Sequence, residues 1–273
     1  MAELNLPLLL EPQDLQPHLG DPRLLIIDLS EPPNYGQRHV PGAVNLPYQA
    51  IIRAEPPAMG LLPTEERLSQ VLSAIGLTED AHVIAYDSEG NGRAARLLWT
   101  LDVLGHPRFS LLNGGLAAWL NAGLPVESGN VAPRPTQYQA QIRNPDAIAD
   151  LEYVRNHLGK SDVVVLDART AGEFKGADRR AARPGHMPGA VNLDWMRTMD
   201  PNRDRRFLPD EQLKAMLAEL GVTPDKEVIT HCQTHHRSAH SYVMLKHLGF
   251  KKVRGYPGSW SEWGNRQDTP VEM

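Results

Sequence analysis

Short apolar runs alternate along the chain with longer stretches whose apolar residues recur at helical spacing. Leu25-Ile26-Ile27-Asp28, Val83-Ile84-Ala85-Tyr86, Val164-Val165-Leu166-Asp167 and Val228-Ile229-Thr230-His231 read as strands. Leu68, Val71, Leu72 and Ile75 fall on one helical face, as do Leu213, Met216, Leu217 and Leu220. Gly76 and Gly221 follow these two stretches, where a glycine ends a helix without steric cost. Strands alternating with amphipathic helices predict an α/β fold with largely parallel sheets. In such sheets, functional sites form at the C-terminal ends of strands.

The pattern occurs twice. His39-Val40-Pro41-Gly42-Ala43-Val44-Asn45-Leu46 returns as His186-Met187-Pro188-Gly189-Ala190-Val191-Asn192-Leu193. Each copy is preceded by a strand ending in Asp and followed by Leu-Pro and an acidic helix start, at Leu62-Pro63-Thr64-Glu65 and Leu208-Pro209-Asp210-Glu211. Each half closes on a Gly-containing turn and a tryptophan, Trp119 or Trp263. So many landmarks in one order identify two copies of one domain. The stretch from Glu127 to Gln141 holds Gly129, Pro133 and Pro135 and has no periodicity. The expected division is a first domain over 1–130, a linker over 131–141 and a second domain over 142–273.

Composition narrows the function. The 273 residues are 41% hydrophobic and 22% charged, ordinary values for a soluble protein, and the net charge of −5 gives no reason to expect nucleic acid as a partner. No apolar run approaches the roughly 20 residues needed to cross a bilayer. Leu8-Leu9-Leu10 is interrupted upstream by Pro7 and lacks a basic flank, so a signal peptide is not expected. The expected location is the cytoplasm, with no membrane partner. One cysteine excludes an internal disulfide and a cysteine-rich metal centre, so no metal is expected.

That cysteine, Cys232, heads the run Cys232-Gln233-Thr234-His235-His236-Arg237 between a strand and the helical stretch Ser238 to Leu248. A tight loop entering a helix presents free N–H groups and a favourable dipole to an anion. A thiolate held there has a lowered pKa and is a nucleophile. A lone cysteine is more commonly an inert core residue. Five polar residues in a row after Cys232 make a poor core segment and favour the reactive reading.

The halves differ at this point. Asp87 falls opposite Cys232 and Arg93 opposite Arg237, giving loops of seven residues in the first half and six in the second. A carboxylate does not replace a thiolate nucleophile, so the first half is expected to be silent and the second to carry the chemistry. Asp167 to His186 spans 19 residues against 11 for Asp28 to His39, and the extra residues carry Lys175, Arg179, Arg180 and Arg183. They are either a solvated loop or an anion funnel.

Three motif groups closely resemble the rhodanese superfamily, specifically its tandem-domain bacterial sulfurtransferases. They are Tyr35-Gly36-Gln37-Arg38-His39-Val40-Pro41-Gly42-Ala43, Gly258-Ser259-Trp260-Ser261-Glu262-Trp263, and Asp167-Ala168-Arg169 with Glu173-Phe174 and Gly185-His186-Met187-Pro188-Gly189-Ala190. The resemblance implies two rhodanese-like domains, an inactive one followed by a catalytic one. It also implies a cycle in which Cys232 takes a sulfane sulfur from a donor such as thiosulfate, becomes a persulfide and passes the sulfur to a thiophile such as cyanide. No organic cofactor is expected. The expected partners are a small-molecule donor and acceptor, with thiol proteins as further acceptors, and the expected state is a monomer.

Gln233, Thr234, His235, His236 and Arg237 would supply the amides around the sulfur. The two histidines would charge below about pH 6.5, or are exposed residues without a role. Trp195 either lines the pocket or packs in the core. Arg169 is a substrate-binding candidate or an ion-pair partner of Asp167. The resemblance leaves 3-mercaptopyruvate as an alternative donor, since the loop matches neither familiar pattern. Glu173 stands where such enzymes often carry arginine and would repel that donor's carboxylate. A persulfide carrier is a second alternative. A phosphatase loop of related layout has five residues between Cys and Arg, against four here, which argues against phosphate chemistry.

Overall fold

A computed structural model describes residues 4–273. The first half contains β1 (Leu9–Leu10), α1 (Pro12–Leu15), β2 (Leu24–Asp28), α2 (Pro32–Gln37) and β3 (Val44–Asn45). A hairpin of β4 (Arg53–Glu55) and β5 (Ala58–Leu61) follows, then α3 (Glu65–Ala74), β6 (His82–Tyr86), α4 (Gly92–Val103), β7 (Phe109–Leu112) and α5 (Gly115–Asn121). The second half runs through α6 (Leu151–His157), β8 (Val163–Asp167), α7 (Ala171–Phe174), β9 (Val191–Asn192), β10 (Met199–Asp200), β11 (Arg206–Phe207) and α8 (Asp210–Glu219). It ends with β12 (Glu227–His231), α9 (Arg237–His247), β13 (Val253–Gly255) and α10 (Ser259–Trp263). Among the described residues no helix is long and apolar enough to cross a membrane.

Each half builds a parallel sheet, ordered β1-β7-β6-β2-β3 in the first and β13-β12-β8-β9 in the second. The predicted α/β fold, two domains each with helices flanking a parallel sheet, is the one observed. The registers repeat: Asp28 pairs with Tyr86, and Asp167 with His231. Helices end where the sequence places them, with Gly76 at φ 89° and Gly221 at φ 70°, a left-handed conformation that a side chain disfavours. At the other end of α3, Thr64 accepts the Arg67 N–H, and Glu65 and Glu66 complement the helix dipole.

Ile26, Ile84, Tyr86, Leu112 and Trp119 centre one core, and Val165, Ile229, Tyr256, Trp260 and Trp263 the other. Fully burying an aliphatic side chain of this size contributes about 1.5–3 kcal/mol. The repeated histidine is a clasp. His39 stacks on Tyr35 and bonds its carbonyl, and its backbone bridges Glu127. His186 stacks on Phe174, bonds that carbonyl and bridges Glu272 in the same way. Trp119 and Trp263 close each half by donating their indole N–H to the carbonyls of Pro125 and Pro270.

One compact unit comprises the chain up to Ile51, Pro63–Asn144 and Asp200–Arg206; the other comprises Ile52–Leu62, Pro145–Met199 and Phe207–Met273. The predicted linker is pinned to the first unit. Thr136 donates its N–H to Ser73, Tyr138 is buried, and Ala140 donates its N–H to the Ser69 hydroxyl. It lacks periodicity because its backbone finds partners on α3 rather than within a regular element of its own.

Candidate active site

The β12 strand delivers Cys232 to the C-terminal edge of the second sheet, and α9 begins at Arg237. The residues between form the predicted loop. Its carbonyls are held from one side by α10: Trp260 donates its N–H to the Cys232 carbonyl at 2.9 Å and Ser261 to that of Gln233 at 3.0 Å. The Ser259 hydroxyl accepts the Cys232 N–H at 3.3 Å and donates to the Tyr256 carbonyl at 2.8 Å. With the carbonyls drawn outward, N–H groups remain for the sulfur.

Cys232 is fully buried. Burial opposes its ionisation. The Arg237 guanidinium, the Ser238 hydroxyl and the N–H groups of Ser238 and Thr234 outweigh that, and the thiol pKa lies below its ordinary value. Arg237 is fixed by a bidentate pair with Glu173, at 2.7 and 3.0 Å. Glu173 also closes a capping box with Thr170 at the start of α7. Burial pushes the Glu173 carboxyl up, but Arg237 and the Thr170 contacts hold it down at about 2. Its charge is neutralised, so the expected repulsion of a substrate carboxylate does not follow.

His231, beside Cys232, is held at about 4 by burial against the pull of Asp167, whose carboxylate lies 3.4 Å away; it is neutral at pH 7. His235 is fully buried, its Nδ1 lies 2.7 Å from the Ser238 hydroxyl, and its φ is +60°. Of its two readings, the exposed one therefore does not hold. Half-buried His236 starts the helix and meets Trp195 edge-on at 6.4 Å. Trp195 also packs edge-on against His240 at 5.4 Å, and His240 is pushed down to about 3 by burial. Gln233 donates its side-chain amide to the Arg180 carbonyl at 3.1 Å, which ties the basic insertion to the loop.

Arg169 is not brought to this surface. It is 1% exposed, bidentate with Asp167, bonded to the Gly185 carbonyl and stacked 4.4 Å over Trp260. It is a core staple rather than a substrate ligand, because the Asp-x-Arg spacing lets the guanidinium fold back on its neighbour. The insertion divides similarly. Arg183 bonds the Trp263 carbonyl and Thr269, and Arg179 bonds the carbonyls of Ala181 and Ala182. Arg180 is exposed at 66%, with its guanidinium 4.0 Å from Glu173.

The rhodanese-like domain family model matches this chain twice, over residues 11–122 and 150–266. The chain belongs to the rhodanese family. A thiosulfate sulfurtransferase of Pseudomonas aeruginosa is 44% identical over 98% of both chains, and one of Azotobacter vinelandii is 43% identical over the same shares. Among solved structures, the anaerobic ergothioneine biosynthesis enzyme of Chlorobium limicola, bound to trimethyl histidine, superposes with a TM-score of 0.82 at 21% identity. That alignment covers 92% of this rhodanese and 64% of the other chain, and shows a shared fold.

The first rhodanese domain fills its own cradle. The Asp87 carboxylate accepts the N–H groups of Glu89 and Asn91, both at 2.7 Å, on one oxygen, and those of Arg93 and Ala94 at 3.0 and 3.1 Å on the other. Arg93 pairs with Glu31 and Glu89, as Arg237 pairs with Glu173.

Sequence reasoning missed Ser238, Ser259 and Gly60. The serines carry no signal beyond proximity to the loop and to a turn. Gly60, in β5, has no signal at all. A Cβ there would overlap the Thr234 carbonyl and lie 2.8 Å from that of Pro257. Both obstacles are backbone, so the loop itself must move. Gly60→Ala is expected to destabilise the second unit by about 1–3 kcal/mol and to slow alkylation of Cys232. Thermal unfolding and a thiol-trapping rate check this; parental values for both would show that the loop does not need the contact.

Proposed function

We propose that this rhodanese is a thiosulfate sulfurtransferase acting through a Cys232 persulfide, with the second domain catalytic and the first silent. The observation that carries the reading is the arrangement at Cys232: a thiol with lowered pKa, faced by Arg237 and by N–H and O–H donors on one loop. The thiosulfate sulfurtransferases similar to it over nearly their whole length support the choice of donor.

The Cys232 thiolate attacks the outer sulfur of thiosulfate. A bond forms between the cysteine sulfur and that sulfur, the sulfur–sulfur bond of thiosulfate breaks, and sulfite leaves with the electron pair. The new persulfide is anionic, so the donors that favour the thiolate serve it too. Cyanide, or the thiolate of a small molecule or protein, then attacks the terminal sulfur and restores the Cys232 thiolate. No step needs a metal or organic cofactor. Asp87, bonded by four N–H groups of its own loop, offers neither a soft nucleophile nor a vacant cradle.

The donor is tested by parallel assays with thiosulfate and 3-mercaptopyruvate at low and high salt. Thiosulfate is a compact dianion suited to Arg237 and the exposed Arg180. It is expected to show the higher kcat/KM, falling as salt rises, since exposed charges are screened within about 10 Å at 0.1 M. Preference for 3-mercaptopyruvate would overturn the donor and leave the persulfide chemistry standing. A salt-independent rate would remove the insertion from substrate capture. Transfer without turnover would make the protein a carrier.

A further inference from the structure

Resting on the reading of Cys232 as the reactive thiol, we infer that His235 is a positioning residue that acts through Ser238, fixing the Ser238 hydroxyl as a donor to the cysteine sulfur. Three observations meet here. His235 is fully buried, whereas Gln233, Thr234, His236 and Arg237 around it are partly exposed. It holds φ at +60°, a left-handed conformation that few residues other than glycine adopt, histidine among the more tolerant of them. Its Nδ1 lies 2.7 Å from the Ser238 hydroxyl, one of the hydrogen-bonding groups that hold the Cys232 thiol pKa down. A non-glycine residue kept in a disfavoured backbone state at a reactive site points to a function that its side chain serves.

The proton positions follow from donor and acceptor arithmetic. A hydroxyl has one proton. A thiolate or persulfide only accepts, so that proton is directed at sulfur. The Ser238 oxygen is then an acceptor toward His235, which must carry a proton on Nδ1. The chain reads His235 Nδ1–H to Ser238 Oγ, and Ser238 O–H to sulfur. With His235 absent, the hydroxyl is free to rotate away from the sulfur. The other charged and titratable groups around the thiol are Arg237 with its partner Glu173, and His231 with Asp167 and Arg169. None of them bonds the Ser238 hydroxyl.

The test measures the rate of Cys232 alkylation by a small reagent at neutral pH, with no sulfur donor present. Its outcome is therefore independent of whether thiosulfate is the substrate. Ser238→Ala is expected to slow alkylation about tenfold, the scale of one hydrogen bond to a charged group. His235→Gly, which adopts the same backbone without strain, is expected to slow it several-fold in the parent and not at all in a Ser238→Ala background. His235→Asn, whose amide offers an N–H at the place of Nδ1 and tolerates the left-handed backbone, is expected to keep the parental rate. Multiplicative effects of Ser238→Ala and His235→Gly would overturn the inference, as would an unchanged rate in Ser238→Ala. Should His235→Gly fail to fold, the contrast between His235→Asn and Ser238→Ala decides, and equal rates in the two would count against the relay.

Discussion

Replacing Cys232 with alanine is expected to reduce thiocyanate release from thiosulfate and cyanide to the uncatalysed background. No second thiol exists in the chain to take over, and no neighbouring group can hold a sulfane sulfur. Losing a covalent nucleophile removes the step itself rather than its efficiency, so the effect is larger than for any surrounding donor. Intact-protein mass spectrometry supplies the complementary result. Parent protein treated with thiosulfate gains the mass of one sulfur and loses it on addition of cyanide, while Cys232→Ala gains nothing. Residual turnover in the variant, or a parent that never gains the sulfur, would refute the persulfide.

Arg237→Gln is expected to have the next largest effect, on two quantities at once. It removes the cation that faces the thiolate, so the thiol pKa rises and alkylation at neutral pH slows. It also takes from Glu173, only 4% exposed, its hydrogen-bonded counter-ion, leaving the Arg180 guanidinium at 4.0 Å. Breaking a buried pair on one side costs about 3–5 kcal/mol. The sign with pH follows from Glu173. Its folded value of about 2 lies below its ordinary 4.5. The pair's stabilisation is therefore complete above about pH 4.5 and lost as pH falls toward about 2. In Arg237→Gln, burial acts on the carboxyl unopposed by a bonded cation, and the acid limb of the stability profile moves to higher pH. Thermal unfolding of parent and variant across the acid range checks this. Superimposable profiles would mean that the pair contributes neither stability nor thiolate character.

The fold was legible because its determinants are local. Two apolar runs and one amphipathic helix in each half, repeated in order, leave few arrangements other than a pair of parallel sheets with helices. Cys232 was legible from a strand, a short polar loop and a helix. The Asp167–Arg169 ion pair was legible from the Asp-x-Arg spacing, but the stacking on Trp260 that buries it joins residues 91 positions apart in sequence, and periodicity says nothing of such pairs. Which reading of His235 holds was not legible, because a run of polar residues looks exposed, whereas the loop turns this one inward with left-handed backbone. Gly60 and Ser259 support the loop from far along the chain, and a glycine or serine by itself marks no particular role.

The trade of segments between the two units has a consequence for how the chain can be made and divided. Residues 52–62 complete the unit that otherwise begins at Pro145, and residues 200–206 complete the unit that otherwise ends at Asn144. During synthesis the first unit receives its last segment only when Arg206 has been made, after Pro145–Met199 of the second. Halves of a duplicated chain ordinarily complete one after the other; here the first is completed from within the span of the second. A gene cut at the join of the repeats would give two fragments, each missing a strip of its own structure, and the fragment carrying Cys232 would lack the hairpin that braces its loop. The duplication is visible in the sequence, yet its products are no longer separable modules.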